Sequence, residues 1–280
     1  MGQMQEEQRH HNLLYYSTGM AATRKKKTEE PILISSEAQK RFHEALIKVT
    51  SDRERPTIGT LSEKTVHAVI KNYIEPNEDK QEIPIGEHIA DIFTGDEIFE
   101  IQTQNLKRLN DKLDEFLAMY KVTVVHPVIR RKKIYWIDPD SGEMTIPKKA
   151  SPKTGSFESA IREVYGIRDH INNPNLRIRL VLIDIDEFRI KNGYGREGKK
   201  YGTWLDKVPT SIIDDKIFEC PEDYLQLLPS ELPEEFTVSD AQAYGMKQDQ
   251  ASLIVSFLSK IGVIERIGKR GKAYLYRMKY

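Results

Sequence analysis

The sequence predicts an α/β fold followed by a small C-terminal module, and three observations carry that expectation. An apolar stripe at Val66, Val69, Ile70 and Tyr73, at the spacing of one helical face, precedes two short runs of period-2 character, Glu87 to Phe93 and Glu97 to Thr103. A further amphipathic helix, with Leu106, Leu109, Leu113, Phe116, Leu117 and Tyr120 on one side, leads into Val122-Thr123-Val124-Val125, the β-branched pattern of a strand covered on both faces. From Phe236 onward the pattern changes to two short helices and a hairpin turned on glycine.

The chain of 280 residues is long enough for two or three modest domains. With 39% apolar and 31% charged residues it is polar for a single core of that size, so solvated tails or linkers are expected. Residues 1–31, with the run Arg24-Lys25-Lys26-Lys27, read as a solvated tail, and Phe42, Leu46 and Ile47 mark a helix from Ser35 to Val49. The helix from Leu61 to Tyr73 comes next, and the two period-2 runs pair as a hairpin around Gly95-Asp96. After the strand at Lys121 to His126, a second hairpin is expected at Lys133 to Asp138 and Glu143 to Ile146, joined by the turn sequence Asp138-Pro139-Asp140-Ser141-Gly142. A helix from Phe157 to Ile171 and a strand from Leu176 to Ile185 follow, Arg189 to Leu205 reads as a long glycine-rich loop, and Pro229 to Glu235 as a linker. The expected division is residues 1–58 as tail and short helix, 59–228 as an α/β domain with an extension, and 229–280 as the small module.

Charge and cysteine content narrow the function classes. Lys plus Arg and Asp plus Glu both number 43, so a nucleic-acid partner must be held by local patches and not by net charge. The single cysteine, Cys220, excludes an intrachain disulfide and any multi-cysteine zinc or iron–sulfur site, and a reducing compartment is the default. The sequence has no long apolar run and no secretory leader pattern at its N-terminus, which leads to the expectation of a cytoplasmic protein without a membrane partner.

The chemistry concentrates in the first hairpin. Ile98, Glu100 and Gln102 share one face of their strand. A two-residue Gly95-Asp96 loop sets Thr94 against Glu97 and, counting back along both strands, Asp91 against Glu100. Like charges directly opposite in a sheet repel, and these two acids are surrounded by Ile89, Ile92, Phe99 and Ile101, so something must compensate. A divalent cation, Mg²⁺ or Mn²⁺, does so naturally and binds substrate phosphate as well. Glu63, one helix upstream, could complete the site, and it also fits a capping box with Thr60. His67, four residues after Glu63, and His88, at the start of the Asp91 strand, are polar candidates for water activation or phosphate contact.

This order of Glu63 on a leading helix, Asp91 on a strand and Glu100-Ile101-Gln102 on the next, followed by helix and strand, resembles the PD-(D/E)XK, or restriction-endonuclease-like, nuclease superfamily. Ile89-Ala90-Asp91-Ile92 and Phe99-Glu100-Ile101-Gln102 look in particular like the competence-associated nuclease-like proteins, which use an E-I-Q form of the motif. The resemblance implies a mixed sheet flanked by helices, Asp91 and Glu100 as metal ligands, Glu63 as an accessory acid, and hydrolysis of phosphodiester bonds in DNA. Gln102 then stands where lysine is commonest; it is neutral and only hydrogen-bonds, so Lys107, Lys112 or Lys121 could supply the missing charge. The alternative is an inactive DNA-binding or regulatory protein that keeps a degenerate nuclease fold as a scaffold.

The C-terminal module adds a second resemblance. A short helix from Thr237 to Tyr244, a longer one from Lys247 to Ile261 ended by Gly262, and a hairpin around Gly268-Lys269-Arg270-Gly271-Lys272 resemble a winged helix domain. Lys247, Gln248 and Gln250 on the helix and Lys269, Arg270 and Lys272 on the wing are the expected nucleic-acid contacts. DNA is therefore the expected partner, and a homo-oligomer is left open.

Gly193-Tyr194-Gly195-Arg196-Glu197-Gly198 matches a dinucleotide fingerprint by letter, but it lacks the strand-to-helix turn that motif needs. The basic and aromatic residues around it, Arg189, Lys191, Arg196, Lys199, Lys200, Tyr194, Tyr201 and Trp204, suit either a solvated loop or a nucleic-acid grip. Asp184 and Asp186 share a strand face as a second acidic pair or as loop initiators.

Overall fold

Strands with apolar residues on both sides need cover on both faces, and the chain meets that need with a mixed seven-stranded sheet between helical layers. The computed structural model describes residues 34–51, 64–147, 149–152, 154–192 and 202–279, all within the unit Leu33–Tyr280. The sheet order is β1 (Gln81–Ile85), β2 (His88–Phe93), β3 (Glu97–Ile101), β4 (Lys121–Ile137), β6 (Leu176–Ile190) and β7 (Thr203–Phe218), with the short β5 (Met144–Thr145) paired to β4. Neighbours β1–β2, β2–β3 and β6–β7 are antiparallel, whereas β3–β4 and β4–β6 are parallel.

On one face, α1 (Ser36–Ser51) and α2 (Lys64–Ile74) bury Phe42, Val69, Ile70 and Tyr73 against Ile92, Ile101, Val125 and Ile183. On the other face, the 3-10 turn Leu106–Leu109 with α3 (Asn110–Phe116), and α4 (Phe157–Val164), cover Ile98, Val122, Val124 and Leu180. Alternation along β4 explains the division, since Val124 joins one cluster and Val125 the other.

Several elements differ from the expectation. β1 was not anticipated because Pro84 and the charges before it hide the alternation of Ile83 and Ile85. The strand expected to end at Ile185 runs on to Ile190 because its acids are answered across the sheet. Arg130 forks onto Asp184 at 2.9 and 2.6 Å, and Lys132 reaches Glu187 at 2.9 Å. The same pairs let β4 continue, through a register shift at Arg130, to Ile137, where the expected second hairpin forms with β5. β7 replaces the C-terminal end of the expected loop; residues 193–201 of that loop, with the fingerprint letters, lie outside the described residues, as does the tail. The helix expected to reach Ile171 is α-helical only to Val164 and continues as a 3-10 turn, Tyr165–His170. A side chain at Gly166 would lie 3.0 Å from the Lys107 backbone.

After the 3-10 turn Pro221–Leu227 come β8 (Glu235–Phe236), α5 (Val238–Ala243), α6 (Gln248–Ile261), β9 (Ile264–Arg270) and β10 (Ala273–Met278), the strands ordered β8-β10-β9. Gly262 ends α6 at φ +87°, a left-handed cap that glycine adopts without strain. Ile254, Phe257 and Leu258 of α6 belong to the same apolar cluster as the α4 face of the large sheet. Phe257 meets Tyr224 with ring centroids 5.1 Å apart, and Tyr224 stacks on Phe218 at 4.5 Å. Among the described residues no helix is long and apolar enough to cross a membrane.

Candidate functional site

The hairpin register is the one the Gly95-Asp96 turn dictates. Gly95 takes φ +106°, Thr94 N–H donates to the Glu97 carbonyl at 3.0 Å, and Phe93 pairs with Ile98 and Ile92 with Phe99. The ladder stops there, and one step further along the same register stand Asp91 and Glu100. Here β2 breaks its alternation, because Ala90 packs in the α3-side cluster and Ile92 in the α1/α2-side cluster. Asp91 sits at the break and its Oδ2 accepts the Ile101 N–H at 2.7 Å. The acids thus lie together where the two strands part.

Their charge states diverge. Glu100 is 2% exposed, and burial, reinforced by the Asp91 charge, pushes its carboxyl up to about 7, while Lys112 and the Asp91 amide pull the other way. Lys112 Nζ donates to Glu100 Oε2 at 2.9 Å and to the Ile89 carbonyl at 2.7 Å, but Oε1 is buried without a hydrogen-bond partner among the described residues. Burial also acts against ionisation of Asp91, yet His67, 3.2 Å from Oδ2, and the Ile101 amide outweigh it and hold this carboxyl below its ordinary value. One acid is poised as a carboxylate and its neighbour titrates near neutrality.

Both acids line a cleft of about 1020 Å³, bordered by α2 through His67 and Lys71 and by the α3 side through Arg108 and Lys112. Of the other expected residues, Gln102 lines the cleft but turns its amide onto the Gln104 carbonyl at 2.6 Å. His67 and His88 also line it, and His88 lies 3.5 Å from Glu115. Glu63 and Thr60 lie outside the described residues. Of the three candidate lysines, Lys112 is in the cleft, while Lys107 and Lys121 are exposed away from its lining. Among the described residues no group of three His, Cys, Asp or Glu side chains is arranged to hold a metal ion. Asp184 is engaged by Arg130, whereas Asp186, near Lys133 and Tyr135, is raised by burial, and neither lines the cleft.

Sequence reasoning missed His126, which is 5% exposed and donates its Nδ1–H to the Gln102 carbonyl at 2.7 Å, fixing the end of β3. It also missed Lys71, Glu82 and Arg108, all of which line the cleft.

In the C-terminal module, Lys247, Gln248, Lys269, Arg270 and Lys272 are exposed and Gln250 is half-buried. Arg270 is paired to Asp240 at 3.0 Å, and Lys269 lies 5.4 Å from the Tyr274 ring centre.

A family described as Domain of unknown function (DUF8091) matches residues 64–219, from the first residue of α2 to just past β7. An uncharacterized protein of Treponema pallidum (strain Nichols) is 31% identical over 222 residues, covering 79% of this chain and 87% of that protein. No solved structure matches. The chain belongs to the DUF8091 family.

Proposed function

We propose that this DUF8091 member is a metal-dependent, nuclease-like protein that hydrolyses phosphodiester bonds in DNA, with the C-terminal module as a winged helix that grips the duplex. The observation that carries the reading is the Glu100 carboxyl: almost wholly buried, beside Asp91, in the wall of a cleft, and with one oxygen unanswered among the described residues. Such an oxygen costs free energy unless a cation or donor meets it. The donor set suits Mg²⁺ or Mn²⁺, since both acids offer hard oxygens, and Asp91 and Glu100 would hold the ion with Glu63 assisting. When bound, the ion would polarise the phosphoryl oxygen and make its attached water more acidic.

The chain's own groups supply the rest. His67 and the Ile101 amide keep Asp91 ionised and oriented. Lys112 brings to the site the positive charge that Gln102 lacks, near enough to stabilise negative charge developing on phosphate. Gln102, once released from Gln104, positions water or phosphate through its amide.

The fold supports this reading. A leading helix, antiparallel strands bearing Asp91 and Glu100, then a helix and a parallel strand within a mixed sheet agree with what the PD-(D/E)XK resemblance implies. The strand order β8-β10-β9 around α5 and α6 likewise suits a winged helix.

Full-length protein with Mg²⁺ or Mn²⁺ should nick or cut plasmid DNA. Asp91→Ala should lower the rate at least ~100-fold, the scale of losing an electrostatic catalytic group, with an unchanged circular dichroism spectrum. Equal cutting by the variant refutes the assignment. Gln102 and the lack of a three-ligand group among the described residues favour a second reading, an inactive DNA-binding scaffold. It predicts salt-dependent DNA binding with no cutting under any divalent ion.

A further inference from the structure

The cleft holds cations beyond those that answer the acid pair. Lys71 lies one helical turn beyond His67 on α2, and its ammonium is paired with Glu82. The pairing of Gln81 with Ile92 and of Ile83 with Ala90 sets Glu82 opposite Asp91. Glu82 itself has φ +54°, a left-handed conformation that is uncommon away from glycine. On the other side, Arg108 is exposed in the 3-10 turn before α3, and its guanidinium makes no ion pair or hydrogen bond among the described residues. The helices that carry these two cations cover opposite faces of the sheet, so the acid pair lies between Lys71 and Arg108, in a lining that also carries Glu82 and Asp111.

We infer that the cleft takes a continuous DNA strand laid across the sheet edge, Arg108 binding a backbone phosphate on the α3 side of the acid pair and Lys71 one on the α2 side, with Glu82 holding Lys71 until the phosphate displaces it. A guanidinium suits a phosphate through two parallel hydrogen bonds, and an ammonium serves as a point charge. The inference rests on the nuclease reading for what lies between the two contacts. It specifies the substrate class: a phosphodiester inside a chain, with a phosphate on either side.

The test uses full-length protein in EDTA, where no cutting occurs, and follows fluorescence anisotropy of a fluorescein-labelled DNA oligonucleotide between 50 and 200 mM salt. Arg108→Gln and Lys71→Gln should each weaken binding about 3- to 10-fold and reduce the slope of log affinity against log salt by roughly 0.7–0.9. Lys107→Gln, adjacent in sequence but outside the cleft, should change neither affinity nor slope at this site. Glu82→Gln should tighten binding about 2- to 5-fold, and that gain should vanish when Lys71→Gln is also present. Wild-type affinity and slope in both Arg108→Gln and Lys71→Gln would overturn the inference. Failure of the nuclease reading shows separately, as intact plasmid in Mg²⁺ with the binding differences preserved.

Discussion

Two glutamates lie almost wholly buried in one sheet and differ in what answers their charge. Glu187 on β6 is 1% exposed; Lys132 reaches its Oε2 at 2.9 Å and Arg189 its Oε1 at 2.5 Å. Burial alone would raise its carboxyl, but those two partners hold it below the ordinary value. Glu100 on β3 is 2% exposed and has Lys112 and the Asp91 amide in its favour, but one oxygen without a hydrogen-bond partner among the described residues and the Asp91 charge beside it, and its carboxyl rises to about 7. Similar exposure goes with opposite shifts. A buried acid with a full set of partners is architecture; one with an incomplete set leaves a place for something the chain does not provide.

The same substitution at the two positions should act with opposite sign. Glu187→Gln leaves Lys132 and Arg189 without their counter-charge and should destabilise the protein by about 3 kcal/mol in urea unfolding. A neutral effect would remove the contrast. Glu100→Gln in metal-free protein should instead stabilise at pH 8, because Glu100 binds its proton up to about pH 7 when folded but only up to its ordinary 4.5 when unfolded. That contribution is complete below pH 4.5 and disappears as pH rises through 7, a loss on the order of 3 kcal/mol, so melting of the wild type in EDTA should weaken over this window and the variant's should not. Lys112→Met should move the midpoint of that profile upward by about one pH unit, since the cation that favours the carboxylate is gone; an unmoved midpoint would break the link between Lys112 and Glu100. The smallest effect is at the turn. Gly95→Ala, at φ +106°, should cost about 1 kcal/mol and loosen the register that brings the acids together.

The acid-bearing hairpin was legible because a two-residue turn with glycine first allows few registers and side chains alternate with period two. The C-terminal helices and hairpin were legible for similar reasons, with Gly262 marking the helix end and Gly268 and Gly271 in the hairpin. β1 escaped because Pro84 and the charges around it hide the alternation of Ile83 and Ile85, and the middle of β4, the far end of β6 and all of β7 escaped because their charges look solvated until cross-strand partners are paired. Lys112 could be named only as one of three lysines, since periodicity gives a helix face but not the strand it meets. Arg108 and Lys71 became candidates only when two helices from opposite faces of the sheet were seen to border one cleft.

Titration calorimetry with Mn²⁺ at pH 7.5, on wild type and on Glu100→Gln, tests most directly whether the unanswered oxygen is a cation's place. The account predicts one ion per chain in the wild type and at least ~10-fold weaker binding in the variant, the loss of one charged ligand costing no less than about 1.4 kcal/mol. No heat of binding in the wild type, or equal affinity in both, would contradict it.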